Sequence, residues 1–303
     1  MSKKPLFKDF ENHHRLMFPE PIRRITSGQG GEVLLILGRD RTALLDCGMA
    51  YCWEELLEKL ETTLNGRSLD YILLTHTHYD HVGALPYIRD RYPQAMVLAS
   101  EYAQKVLQKE SARKVIGELG EEAARTYLGT EMKVRTDGLV VNQVVGENDE
   151  IDLGDTIIQV LETPGHTTCS LSYYILPEKI LLASESTGIL IEPELVHTAI
   201  LKSYRDSLAS GEKMKNLQAN TIILPHYGVL PSHYNERYWE LFFQTTYEKR
   251  DYIQKLYVDG LSKDEIIGKY IEKYWDDVRE QEQPKAAFVL NAKSIIDVIL
   301  KEI

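Results

Sequence analysis

The segment Thr75-His76-Thr77-His78-Tyr79-Asp80-His81 constrains the fold more than any other feature of the chain. It sets three histidines and an aspartate within six residues, directly after the apolar run Asp70-Tyr71-Ile72-Leu73-Leu74-Thr75, which reads as a buried strand. A strand end fixes the backbone, and the loop beyond it lets alternate side chains converge. Imidazole nitrogens and carboxylate oxygens suit zinc, iron or manganese. Buried without partners these groups are costly, and metal coordination removes that cost. His76, His78, Asp80 and His81 are therefore candidate metal ligands. Two more histidines stand in Pro/Gly turns after apolar strands: His166 in Thr163-Pro164-Gly165-His166-Thr167, and His226 in Leu224-Pro225-His226-Tyr227-Gly228. Each alone reads equally well as a structural histidine. Beside the first motif both read as ligands.

The rest of the chain alternates strands and helices. Glu32 to Gly38 and Thr42 to Gly48 flank the turn Arg39-Asp40-Arg41, which predicts an antiparallel hairpin. Leu56, Leu57, Leu60 and Leu64 place a helix over 53–64. A helix is expected from Val82 to Arg91 and a strand over 95–99. Residues 100–128 are charged and helical, with Ser100 as N-cap; lying between metal motifs, they form a candidate lid or substrate wall, or a solvated insertion. Short strands are expected at 140–145, 156–161, 170–176, 179–182 and 220–225. Amphipathic helices follow, over 238–258, then from a capping box at Ser262 and Glu265, then after Pro284. This organisation predicts a catalytic domain over 1–237, with a helical insertion at about 100–128. A C-terminal helical cap over 238–303 would pack on the core.

Composition narrows the function. Lys plus Arg total 35 and Asp plus Glu 46, a net charge of −11, and no basic run offsets it. Such a chain repels phosphate backbones, so nucleic acid is not an expected partner and a small-molecule substrate is. The three cysteines, Cys47, Cys52 and Cys169, form no Cys-x-x-Cys pair and no disulfide framework. They read as small buried hydrophobes in a cytoplasmic protein. Residues 1–21 are polar, with His13 and His14 adjacent and no apolar core of a signal peptide. No apolar run spans a bilayer, so no membrane partner is expected. A homodimer is left open.

The order Asp46-Cys47-Gly48, His-x-His-x-Asp-His, Thr-Pro-Gly-His-Thr and a late histidine resembles the metallo-β-lactamase superfamily over residues 22–235. The resemblance implies an α/β fold, an αββα sandwich with metals at one sheet edge, here with appended C-terminal helices. It implies a binuclear site: His76, His78 and His166 on one divalent ion, and Asp80, His81 and His226 on the other. It also implies a bridging carboxylate. The family has a Gly-Asp pair after a strand, where this chain has Ser184-Glu185 in Leu181-Leu182-Ala183-Ser184-Glu185-Ser186. Glu185, one methylene longer, takes the aspartate's place, bridging two ions or serving one; the alternative is an ordinary strand-end glutamate with one metal site weakened. Asp46 is expected to orient a ligand or the loop, with a plain turn residue as the alternative. The stretches Thr75 to Tyr87, Leu98-Ala99-Ser100-Glu101 and Glu110-Ser111-Ala112-Arg113-Lys114-Val115 are similar to the thioesterase family of bacterial alkylquinolone signalling. That likeness implies hydrolysis of an acyl-CoA thioester (2-aminobenzoylacetyl-CoA in that family) and an iron centre.

The chemistry expected is hydrolysis by a metal-bound hydroxide, available near neutral pH because the ions lower the pKa of water to about 7. The target would be a thioester or lactone carbonyl, with Asp80 moving a proton and Tyr227 donating to the oxyanion. Two other readings compete. One is phosphodiester hydrolysis on the same fold. The other is a regulatory protein acting through protein contacts, with a vestigial metal site.

Overall fold

Strand β3, Thr42–Leu45, is buried along its whole length, and the sheet around it grows by pairing on both sides. The computed structural model describes residues 14–303 apart from 193, 278, 279, 281 and 282. The polar segment before residue 14, His13 included, lies outside the described residues. Two compact units are present. The larger comprises Leu16–Glu162 and Leu171–Leu182. The second comprises Thr163–Ser170 and Ala183–Ile303, with Arg15.

In the larger unit, β1 (Ile22–Arg24), β2 (Leu34–Leu37) and β3 pair antiparallel, with Leu34 opposite Leu45 and Leu37 opposite Thr42. This is the expected hairpin. β4 (Tyr71–Leu73), β5 (Met96–Ala99) and β6 (Gln143–Val144) then add in parallel to β3. Parallel neighbours need crossovers. Helix α1 (Trp53–Leu64) supplies the first, burying Leu56, Leu60 and Leu64 as their spacing predicts. The second crossover contains α2 (Tyr79–Val82) and α3 (Leu85–Arg91). The single helix expected from Val82 to Arg91 is thus interrupted. A Cβ at Gly83 would lie 2.5 Å from both Ala50 N and Tyr79 O, so the chain turns there against backbone. Residues 101–128 form α4 (Glu101–Leu107) and α5 (Glu110–Leu128), with Ser100 Oγ capping Ala103 N. The strand expected over 140–145 shrinks to β6, whose two residues are exposed.

Four antiparallel strands complete this unit in the order β10-β9-β8-β7: Ile180–Leu182, Leu171–Leu176, Ile157–Glu162 and Glu150–Asp152. They meet the first sheet through backbone. Asp40 N donates to Leu153 O at 2.9 Å, and Leu171 N donates to Thr75 O at 2.8 Å.

The second unit contains a hairpin of β11 (Ile189–Glu192) and β12 (Leu195–His197), and a second of β13 (Thr221–Leu224) and β14 (Gly228–Val229). Its helices are α6 (Tyr204–Asn216), α7 (Asn235–Val258), α8 (Lys263–Tyr274) and α9 (Lys285–Glu302). The Ser262/Glu265 capping box is present. Helices α7 to α9 share a core with Ile200, Leu201 and Tyr204: Ile253, Ile266, Tyr270, Phe288 and Ile296 pack there. That core joins residues before 237 to the C-terminal helices, so position 237 lies inside this unit. Among the described residues no helix is long and apolar enough to cross a membrane.

The strand that leads into the histidine loop is the best test of this core. Ile72→Ala in β4, at a fully buried site, is expected to cost about 2–5 kcal/mol in urea unfolding. A loss below about 1 kcal/mol would contradict its burial.

Candidate metal centre

Asp46 follows β3 and adopts φ 55°, a left-handed conformation that a non-glycine residue rarely holds. Its buried carboxylate accepts from Thr75 N at 2.8 Å, from Thr75 Oγ1 at 2.7 Å and from His81 Nδ1 at 2.8 Å. Two consequences follow for the histidine loop. A carboxylate can only accept, so His81 carries its proton on Nδ1 and presents Nε2. Thr75 gives its hydroxyl proton to Asp46, so its oxygen accepts from His76 Nδ1, 3.0 Å away, and His76 presents Nε2 as well. The rings of His76 and His78 lie 4.5 Å apart and those of His76 and His81 4.2 Å apart, centre to centre. His78 directly precedes α2, and its carbonyl accepts from His81 N and Val82 N. That half-turn carries Asp80 to within 3.5 Å of His81 Nε2. The ligand atoms of His76 and His78 lie within 4.8 Å of each other, as do those of Asp80 and His81.

The Gly28 to Gly31 turn closes over this loop. A Cβ at Gly31 would stand 2.4 Å from His81 Cε1, so only glycine fits there. On the other side α5 packs Ala123 and Tyr127 against Met49, Tyr51, Cys52 and Tyr79. The insertion thus forms a wall beside the motif rather than a free helix. Cys47, Cys52 and Cys169 are buried free thiols, as expected. Burial pushes the Cys47 thiol well up and that of Cys52 to about 11, so both stay neutral.

In the second unit the turn before His166 is held by Gly165 O, which accepts from Lys202 N and Ser203 N at 3.0 and 3.2 Å. Ser186 Oγ donates to Thr163 O and accepts from His166 N. His166 Nδ1 donates to Ala199 O at 2.8 Å, so Nε2 is again the presented nitrogen. It points at Glu185 Oε2, 3.2 Å away. Glu185 opens a short turn capped by Ser184. Its other oxygen, Oε1, lies 3.0 Å from His226 Nε2. His226 has φ 60°, in the tight turn between β13 and β14. Tyr227 beside it is buried, with Arg15 stacked on its ring and donating from Nε to its carbonyl at 2.9 Å.

Each expected ligand therefore falls in one of two sets, four in the larger unit and three in the second. The donors are imidazole nitrogens and carboxylates, and the rings of His76, His81 and His166 are fixed from behind by a hydrogen bond at Nδ1. This fits divalent zinc, iron or manganese.

The sequence profile of the metallo-β-lactamase superfamily matches residues 28–226. The chain belongs to that superfamily. Its fold is the metallo-β-lactamase fold with C-terminal helices added. Membership places it among chiefly metal-dependent hydrolases. A metallo-β-lactamase fold-containing protein of Sulfurisphaera tokodaii is 29% identical over 60% of this chain and 68% of its own length. A glyoxylase B2 of Dictyostelium discoideum is 30% identical over 46% of this chain, and a hydroxyacylglutathione hydrolase of Buchnera aphidicola 31% identical over 44%. The matches span only 39% and 38% of those two proteins. A solved metallo-β-lactamase family protein of Thermus thermophilus superposes over 94% of this chain and 91% of its own, with TM-score 0.61 and 19% identity, a likeness of fold.

Sequence reasoning did not find Ala199, Ser186 or the contact of Gly31 with His81. A backbone carbonyl acceptor leaves no mark in residue type. Ser203 and Asp206 did carry a capping signal for α6, which anchors Gly165.

The Asp46 contacts generate a test. Asp46→Asn puts an amide where two donors now meet, and is expected to lower zinc affinity about 10- to 100-fold by calorimetric titration. Unchanged affinity would contradict the orienting role.

Proposed function

We propose that this superfamily member hydrolyses a small-molecule acyl thioester, using both ligand sets on one pair of divalent cations. His76, His78 and His166 would hold one ion; Asp80, His81, Glu185 and His226 would hold the other. The observation that carries the reading is Glu185. Its two carboxylate oxygens address two different imidazoles, His166 and His226, as a bridging carboxylate must. The longer side chain is thus compatible with the role of the family's aspartate. The thioester class is supported by the hydroxyacylglutathione hydrolase relative, whose named substrate is an acyl thioester. The net charge of −11 supports a small molecule over nucleic acid.

Bound divalent ions supply an activated water near neutral pH and polarise the scissile carbonyl. The chain's own residues do the rest. Asp46 and Ala199 O fix the tautomers of His81 and His166, so that both rings meet a cation with a lone pair. Asp80 and Glu185 offset two of the four positive charges. Asp80, partly exposed beside His81, takes the proton released by the attacking water. A thiolate leaves without strong acid assistance. Tyr227, next to His226, donates its hydroxyl to the carbonyl oxygen as negative charge develops there.

The deciding experiment is a turnover panel of acyl-CoA and acyl-glutathione thioesters, lactones and bis-p-nitrophenyl phosphate. Thioesters are expected to be cleaved fastest. Asp80→Asn is expected to lower kcat about 10²- to 10⁴-fold. Tyr227→Phe is expected to lower it about 10²-fold. Preference for the phosphodiester, or an Asp80→Asn variant with wild-type turnover, would overturn the reading.

A further inference from the structure

Lys249 lies in the middle of α7 with 1% of its surface exposed. An ammonium taken out of water is costly unless hydrogen bonds replace its hydration, and an apolar side chain would fill the site without that cost. Its contacts show what the charge holds. Nζ donates to Thr198 O at 2.6 Å and lies 3.3 Å from His197 Nδ1. It also sits over the Tyr274 ring, 5.5 Å from the centroid. His197 ends β12 and Thr198 follows it, immediately before Ala199, whose carbonyl accepts from His166 Nδ1.

The opposite end of the same segment is gripped in the same way. Tyr238 precedes Lys249 by about three helical turns and so shares its face of α7. Its hydroxyl donates to Thr187 O at 2.8 Å, two residues after Glu185. Helix α7 thus fastens the backbone at residue 187 and again at 198. Between them runs the hairpin, with Glu185 just before and Ala199 just after.

We propose that Lys249 is a positioning residue for His166. The Thr198 carbonyl and the Ala199 amide share one rigid peptide plane. Holding that carbonyl fixes how the backbone enters Ala199, and with it the acceptor that sets the tautomer and aim of the His166 ring. All of these contacts lie within the second unit, and the role of Lys249 is the same whichever acyl group is cleaved.

The test is long-range ¹H–¹⁵N NMR on metal-free protein carrying ¹⁵N-histidine, with zinc titration alongside. In the wild type His166 is expected to be protonated on Nδ1, and His197 to have Nδ1 bare. In Lys249→Met, His166 loses its single Nδ1–H signature and zinc affinity falls about 10- to 100-fold. Lys249→Arg, which keeps a cation, is expected to restore the signature. A folded Lys249→Met protein with the wild-type His166 spectrum and affinity overturns the proposal. Should that variant fail to fold, Lys249→Gln gives the same two readouts, and the wild-type spectrum gives another. A proton on His197 Nδ1 is incompatible with an ammonium donor there and also overturns it.

Discussion

The Asp46 carboxylate organises the candidate ligand set of the larger unit. It accepts three hydrogen bonds, two from Thr75 and one from His81, and the Thr75 oxygen passes the constraint on to His76. Imidazole can present either nitrogen, and an unoriented ring would lose affinity by sampling both. One buried acid therefore sets two tautomers. It also explains why β3 and β4 are adjacent and parallel: their C-terminal ends must open side by side for Asp46 to reach Thr75. The left-handed backbone at Asp46 is a local strain that these contacts hold in place.

The candidate ligand set of the second unit is built on the same logic with different parts. A carbonyl, Ala199 O, replaces the carboxylate behind His166, and Glu185 faces two rings instead of one. Here the support comes from a helix rather than a sheet. Tyr238 and Lys249 on α7 tie down the backbone around the hairpin. The C-terminal helices thus belong to the same packed core as residues 200–204. The candidate ligands and the residues that fill the core are interleaved along the chain.

Much of this was legible in the sequence, for physical reasons. Leu56, Leu60 and Leu64 repeat at helical spacing and give α1 to the residue. The Ser262/Glu265 box gives the start of α8, and Ser100 the start of α4. The candidate ligands stood out in the sequence because clustered histidines at strand ends have few other uses. What was not legible lacks an apolar rhythm. Helix α6 buries Ser207, Ser210 and Gly211 beside Tyr204 and Met214, so its inner face is small and polar. Strands β1 and β7 have three residues each, too short for an alternation to register. The hairpin β11–β12 also went unread, although it delivers the carbonyl that holds His166.

The function proposed above has two ligand sets, distant in sequence, acting on one pair of ions. Anomalous diffraction from crystals grown with zinc or manganese tests that directly. Two peaks per chain are expected, one ringed by His76, His78 and His166, the other by Asp80, His81 and His226, with a Glu185 oxygen reaching each. Absence of any peak at these side chains in metal-saturated protein would contradict it.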